Sequence, residues 1–286
     1  MRRVRGARLY RLRMRRLLIR PGGIGDFIVS LPAMERLRAD YLEVWSLERN
    51  LPLVRFADAV APIASAGLEL VGITETPASL WDRLRAFDSI ISWYGTARPE
   101  FREALSSLPV RFLAALPPAD WKQPASLFYL QQIAELAPGA TDPVPQIPCP
   151  GTREDFIAMQ PFSGGRKKNW PLERFRQLAT QIQAPVRWCA GPEEDLPDAV
   201  RFDDLYELAR WLRRARLFIG YDSGISHLAA AVGTPVLAIF GPTDPAVWAP
   251  QGPHVTVIRA PAGDLTALSV PQVAAVIDKM RKLTCA

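Results

Sequence analysis

The stretch from Phe218 to Asp244, FIGYDSGISHLAAAVGTPVLAIFGPTD, constrains the fold more than any other part of the chain. It reads as a strand (LFIGY, 217–221), an abrupt polar turn at Asp222-Ser223-Gly224, a small-residue helix, a second strand (PVLAIF, 235–240) and a Gly-Pro turn. Apolar runs on either side of a helix are the pattern of a β-α-β unit in a parallel sheet. A strand that feeds straight into a helix leaves the first backbone N–H groups of that helix without intrahelical acceptors. Together with the positive end of the helix dipole, they form a seat for phosphate. Gly224 lets an anion approach the backbone closely, and Ser223 and Ser226 offer hydroxyl donors. His227 follows within the same first turn, so a diphosphate site is the first expectation.

The same alternation runs along most of the 286 residues. Further strands are expected at 17–19, 42–47, 89–94, 110–115, 156–160, 186–190 and 254–258, with helical patterns such as SLPAMERLRAD, PLERFRQLATQIQ and DDLYELARWLRRA between them. The proline- and glycine-dense run APGATDPVPQIPCPG at 137–151 cannot continue a helix or a central strand. The expected fold is therefore α/β: two facing Rossmann-like domains with a central cleft. The divisions are a basic extension at 1–15, a first domain at 16–140, a linker at 141–152, a second domain at 153–268 and a closing helix at 269–286.

Composition narrows the class. No run approaches the ~18–20 apolar residues of a membrane-spanning helix. Cys149, Cys189 and Cys285 are far apart, which fits neither a disulfide framework nor a metal pattern and suggests a reducing, cytoplasmic setting. With His227 and His254 the only histidines, a histidine-built metal site is not expected, and no cofactor or metal is assigned. The net charge of +6 is uneven, because eight arginines fall within the first sixteen residues. Arg2–Arg16 reads either as a tail held near an anionic membrane surface or as an extension without a role. It is not a signal peptide, since Pro21 and Gly22 follow the short apolar run Leu17-Leu18-Ile19 at once.

Two more loops carry polar chemistry. In RPGGIGDFIVSLPAMERL (20–37), Gly22, Gly23 and Gly25 form a tight loop after a strand, Asp26 follows, and a helix with Pro32 near its start runs on. The spacing is not G-x-G-x-x-G, which weakens a dinucleotide oxidoreductase reading. Asp26 stands at the carboxyl edge of a strand, where ligands bind in open α/β sheets. It either caps the following helix, worth ~1 kcal/mol, or acts in chemistry. In MQPFSGGRKKNWPLERF (159–175), Ser163-Gly164-Gly165 leads into Arg166, Lys167 and Lys168, with Trp170-Pro171 opening a helix. Three adjacent cations repel one another unless an anion or solvent relieves them. Glu193 and Glu194 end another strand on the same side and offer acceptors for ribose hydroxyls. Asp203-Asp204 begins a helix, so no Asp-x-Asp cation loop is read there.

The segments GGIGDFIVSLPAMERLR, SGGRKKNWPLERFRQLA, DSGISHLAAAVGTPVLAIFGPTDPAVWAP and RAPAGDLTAL, in that order, resemble glycosyltransferase family 9, the lipopolysaccharide heptosyltransferases, which have the GT-B fold. Residues 42–150 carry little of the resemblance. It implies that Asp26 is the catalytic base and that Lys168 reaches the nucleotide-sugar, with Ser163 and Gly164 lining the phosphate loop. It also implies that Glu194 or Glu193 holds the ribose, and that Asp222, Ser223, Gly224, Ile225 and His227 cradle the diphosphate and sugar. Arg166 and Gly23 are further candidates for phosphate contact. Ser223 and Ile225 stand where the family run has Thr and Leu.

The implied activity is inverting, metal-independent transfer of a heptose or related sugar from an ADP-sugar to a lipopolysaccharide inner-core or other glycolipid acceptor. Nucleic acid is not an expected partner. The expected location is cytoplasmic, peripheral at the inner face of the inner membrane. The alternatives are a GT-B transferase using another donor, such as a UDP-sugar, and a non-catalytic nucleotide-binding protein of envelope assembly.

Overall fold

The computed structural model describes residues 13–163 and 169–284. Gly164, Arg166, Lys168 and the arginines from Arg2 to Arg11 lie outside the described residues. In chain order the first half contains β1 (Arg15–Ile19), α1 (Ile24–Arg36), β2 (Tyr41–Ser46), β3 (Ala59–Pro62), α2 (Ala78–Arg85), β4 (Ser89–Ser92), α3 (Pro99–Ala104), β5 (Val110–Phe112) and α4 (Ala125–Gln132). The second half contains β6 (Ile157–Met159), α5 (Leu172–Gln181), β7 (Val186–Trp188), α6 (Leu205–Arg214), β8 (Leu217–Tyr221), α7 (Gly224–Ala231), β9 (Val236–Phe240), α8 (Pro245–Trp248), β10 (Val255–Arg259) and α9 (Val270–Thr284).

All strand pairs within the two five-stranded sheets are parallel. The first sheet has the order β3-β2-β1-β4-β5 and the second β10-β9-β8-β6-β7. Each order reverses direction once, between β1 and β4 in the first sheet and between β6 and β8 in the second. Ligands bind at the carboxyl ends of strands beside such switch points. The loops after β1, β6 and β8 are the ones that carry the polar motifs.

Side-chain alternation explains why both sheets are covered on two faces. Leu17 and Ile19 of β1 join one buried cluster with Trp45, Ile90 and Phe101, while Leu18 joins another with Val44 and Ile91. In the second sheet Ile157, Met159, Ile219 and Ile239 pack outward against Trp170, Phe175 and Leu178. Ala158, Phe218, Val236 and Ala238 face inward. The inward faces of both sheets share one continuous cluster, in which Phe27, Leu31 and Met34 of α1 meet Leu228 and Ala229 of α7 and Leu208 and Leu212 of α6. The two halves are thus joined by a continuous apolar seam beneath the cleft. Val273 and Ile277 place α9 on the outer face of the second sheet, beside α5.

Four local expectations are corrected. The strand β3 was not foreseen, because AVAP is short and ends in proline, a residue tolerated on edge strands. Helix α1 begins at Ile24, so Gly25 and Asp26 lie in its first turn and Pro32 sits in its interior. Gly23 occupies the N-cap position and no side chain caps the helix, which removes the capping reading of Asp26. Arg15 and Arg16 belong to β1 and not to a tail. Arg15 lies over the Tyr41 ring, and Arg16 is buried with Nη1 donating to the Leu37 carbonyl.

Candidate active site

Helices α1 and α7 pack against each other with their N-terminal turns in contact across the cleft, and glycine makes that approach possible. A Cβ on Gly224 would lie 2.6 Å from Ile24 Cβ and 2.9 Å from the Gly25 nitrogen. One on Gly25 would lie 3.4 Å from Cδ2 of His227. Two helix N-termini therefore converge on one space, each adding unpaired N–H groups and the positive end of a dipole. That space is a cavity of about 710 Å³ between the halves.

The first half supplies Gly23, Ile24, Gly25 and Asp26 to the cavity wall. The turn before α1 requires Gly22, whose φ of +149° is one that side chains with a Cβ rarely adopt. The half-buried Asp26 carboxylate folds back over Gly23, with Oδ2 3.3 Å from where a Cβ would stand. Arg49, in the helical turn Glu48–Leu53 after β2, is the one Lys or Arg on this wall among the described residues. Leu116, exposed in the loop after β5, completes this side.

The second half supplies the opposing wall. Ser223 is the N-cap of α7, and its hydroxyl accepts from the Ser226 N–H at 3.4 Å and lies 3.3 Å from Gln160 Oε1. Ser226 is fully buried, and its hydroxyl donates to the Tyr221 carbonyl. It is a structural brace and not the phosphate donor expected from sequence. Asp222, Ser223, Gly224, Ile225 and His227 all reach the cavity. Burial holds the His227 imidazole below the usual histidine range, against the opposing pull of Asp222, Asp26 and a hydrogen bond to the Trp248 backbone. The shift favours the neutral imidazole at pH 7, which can donate or accept a hydrogen bond into the cavity.

Ser163 lines the cavity, and its N–H and hydroxyl donate to Asn169 Oδ1 at 2.9 and 2.7 Å. Of the paired glutamates, Glu194 lines the cavity while its Oε2 accepts from the Gly191 N–H at 2.6 Å. Glu193 is exposed and stands off the wall. Gln160, Thr243 and Trp248 also line the cavity, and Thr243 Oγ1 is buried without a partner among the described residues. Sequence reasoning singled out none of these three, nor Arg49 or Leu116. Gln160 directly follows β6 at a switch point, and Thr243 and Trp248 lie inside the motif GPTDPAVW, so both signals were present. Arg49 and Leu116 fall where no motif was visible. Among the described residues no three His, Cys, Asp or Glu side chains gather as a metal site, and no helix is long and apolar enough to cross a membrane.

The model of glycosyltransferase family 9 (heptosyltransferase) matches residues 111–275. The chain belongs to this family. Lipopolysaccharide heptosyltransferase 1 of Escherichia coli K12 is 31% identical over 131 residues, which are 41% of this chain and 40% of that protein. Lipooligosaccharide heptosyltransferase 2 of Haemophilus influenzae is 27% identical over 121 residues, 35% of either chain. The match therefore spans about two fifths or less of these relatives' length. Among solved structures, E. coli ADP-heptose lps heptosyltransferase II superposes with a TM-score of 0.74 at 17% identity, covering 96% of this chain and all of that one. E. coli heptosyltransferase WaaC with ADP gives 0.68 at 20% identity, covering 93% and 100%. These likenesses establish the GT-B fold for this chain.

Proposed function

We propose that this family 9 protein transfers a heptose or related sugar from an ADP-sugar to a hydroxyl of a lipopolysaccharide inner core. The observation that carries the reading is the shared cavity, in which Asp26 at the head of α1 faces the amide cradle at the head of α7. The sugar lies between them. Asp26 takes the acceptor hydroxyl proton as that oxygen attacks the anomeric carbon from the face opposite the diphosphate, so the configuration inverts. The glycosidic C–O bond breaks, its electrons pass to the nucleoside diphosphate, and the products are the glycosylated acceptor, ADP and a proton.

A carboxylate is a weak base at neutral pH, so Asp26 helps late, when the attacking oxygen has become acidic. The larger contribution comes from stabilising charge on the departing diphosphate. The Gly224 and Ile225 N–H groups, the Ser223 hydroxyl and the Lys168 ammonium take that role, with Gly164, Arg166 and Gly23 as further contacts to phosphate. His227, being neutral, holds a sugar or phosphate oxygen by a hydrogen bond. Glu194 takes the ribose hydroxyls, because it reaches the cavity and Glu193 does not. Charge neutralisation is thereby assigned to the protein without a divalent cation. The enzyme works in the cytoplasm, at the inner face of the inner membrane where its glycolipid acceptor is presented.

A direct transfer assay tests the reading. Purified protein given ADP-heptose and a deacylated heptose-free core should yield a core heavier by one heptose, and a UDP-hexose should give none. Transfer from the UDP-sugar alone would assign a different donor. Absence of transfer from either, together with tight ADP binding, would favour a nucleotide-binding protein without catalysis.

A further inference from the structure

Arg20 follows β1 directly and is only 2% exposed, yet its guanidinium forms no ion pair among the described residues. Its hydrogen bonds end on four neutral oxygens. Nε donates to Ser30 Oγ at 3.1 Å, Nη1 to the Pro21 carbonyl at 2.9 Å, and Nη2 to both the Asp26 carbonyl and Tyr129 Oη at 2.8 Å. A buried guanidinium whose hydrogen bonds all end on neutral oxygens, with the Asp26 carboxylate acting on it through space and not by a hydrogen bond, is costly, and fold stability alone would be served by an apolar residue of similar size. What the guanidinium provides is a rigid planar fork that reaches several acceptors at fixed angles.

Those acceptors lie directly behind the cavity wall. The Asp26 carbonyl belongs to the residue whose carboxylate faces the cleft. Tyr129 of α4 passes the link on, its hydroxyl donating to the Ala115 carbonyl at 2.8 Å, one residue before Leu116 on the wall. The Arg20 carbonyl accepts from Ser46 Oγ at 2.6 Å. Asn50, fully buried, donates to the Gly22 carbonyl at 3.1 Å and so ties the turn bearing Arg49 to the glycine loop. The three first-half segments that line the cavity, around Asp26, Arg49 and Leu116, thus hang from one buried polar network with Arg20 at its centre.

We propose that Arg20 is a positioning residue for sugar transfer: through the Asp26 carbonyl and Tyr129 it fixes where the Asp26 carboxylate and the acceptor-side wall stand relative to the donor cradle. The inference rests on the reading of Asp26 as the base. Among the described residues no hydrogen bond joins this network to the α7 cradle, so donor affinity and turnover separate. Arg20→Lys keeps the charge but loses the fork, and Tyr129→Phe keeps the ring while cutting the link to Ala115.

Transfer kinetics and ADP calorimetry on both variants, with Asp26→Asn alongside, test it. An error of about 1 Å in placement costs on the order of 10²-fold. Arg20→Lys should lower kcat by about that factor, and Tyr129→Phe should raise the acceptor KM several-fold. In both, ADP affinity should stay within about threefold of wild type, a margin small beside that effect. Should Arg20→Lys fail to fold, Tyr129→Phe carries the test alone. Wild-type kcat and acceptor KM in the folded variants, with Asp26→Asn inactive, would overturn the inference and leave the base reading standing. A parallel fall of kcat, ADP affinity and thermal midpoint would reduce Arg20 to a structural role and overturn it as well. Full turnover in Asp26→Asn would remove the base reading and the inference together.

Discussion

Asp26→Asn is expected to lower kcat by at least about 10³-fold while leaving ADP affinity unchanged. Removal of a general base costs roughly 10²–10⁴-fold. Here the amide also removes the one carboxylate that the first half presents to the cavity among the described residues. The substitution is isosteric, so the side chain can still fold over Gly23 and α1 can still start at Ile24. Because Asp26 is not an N-cap, no capping bond is lost and little destabilisation is expected. Asn also lacks the negative charge that opposes burial in favouring the protonated form of His227, so the imidazole remains neutral. Steady-state transfer and calorimetric titration with ADP check the pair of outcomes. A variant that retains a tenth of wild-type kcat would remove Asp26 from the chemistry.

Gly224→Ala is expected to damage both stability and turnover, through geometry alone. The new methyl would overlap Ile24 Cβ at 2.6 Å, and it would press on backbone through the Gly25 nitrogen at 2.9 Å, which cannot rotate aside. The two helix heads must separate, or α7 must tilt. Overpacking of this kind costs about 1–3 kcal/mol, a fall of roughly 2–4 °C in thermal midpoint per kcal/mol for a domain of 150–250 residues. The same displacement moves the amide cradle away from Asp26, so kcat/KM should fall by about 10²-fold. Gly233→Ala is a useful contrast. There a Cβ would meet no atom within 4 Å but would be strained by φ of +76°, giving a stability loss without loss of turnover. Wild-type stability and activity in Gly224→Ala would show that the helix heads do not touch in the protein in solution.

Most of the fold could be read from the chain because both sheets are parallel and buried. Their strands are apolar runs bounded by turn residues, and eight further runs besides LFIGY are legible in that way. What escaped follows from three physical causes. The edge strand β3 pairs on one side only and closes with Pro62, so it lacks the long apolar run of a central strand. The start of α1 was read as loop because Gly22, Gly23 and Gly25 weaken any helix signal. The helix is also buried from Phe27 through Met34, since it packs against both α4 and α7, and a helix covered all round shows no polar stripe. The third cause is burial of charge: Arg20 looks like a surface residue in sequence, and only packing reveals that it carries Asp26 from below.

The candidate site was legible in proportion to its backbone chemistry. The heads of α1 and α7 announce themselves through glycine, serine and aspartate at strand ends. Arg49 and Leu116 come from loops whose sequences carry no phosphate-binding pattern, and only the closing of the two halves brings them to the cavity. Ser226 shows the opposite error. A hydroxyl in a helix's first turn has two uses, a ligand or a nearby carbonyl, and here the Tyr221 carbonyl takes it.

The central claim is that the donor diphosphate sits on the head of α7, facing Asp26. A crystal structure of the protein with ADP bound tests this most directly. The account predicts diphosphate oxygens within hydrogen-bond distance of the Gly224 and Ile225 N–H groups and the Ser223 hydroxyl, the ribose toward Glu194, and the Asp26 carboxylate across the cavity with open space between. ADP seated elsewhere, or with its diphosphate turned away from α7, would contradict it.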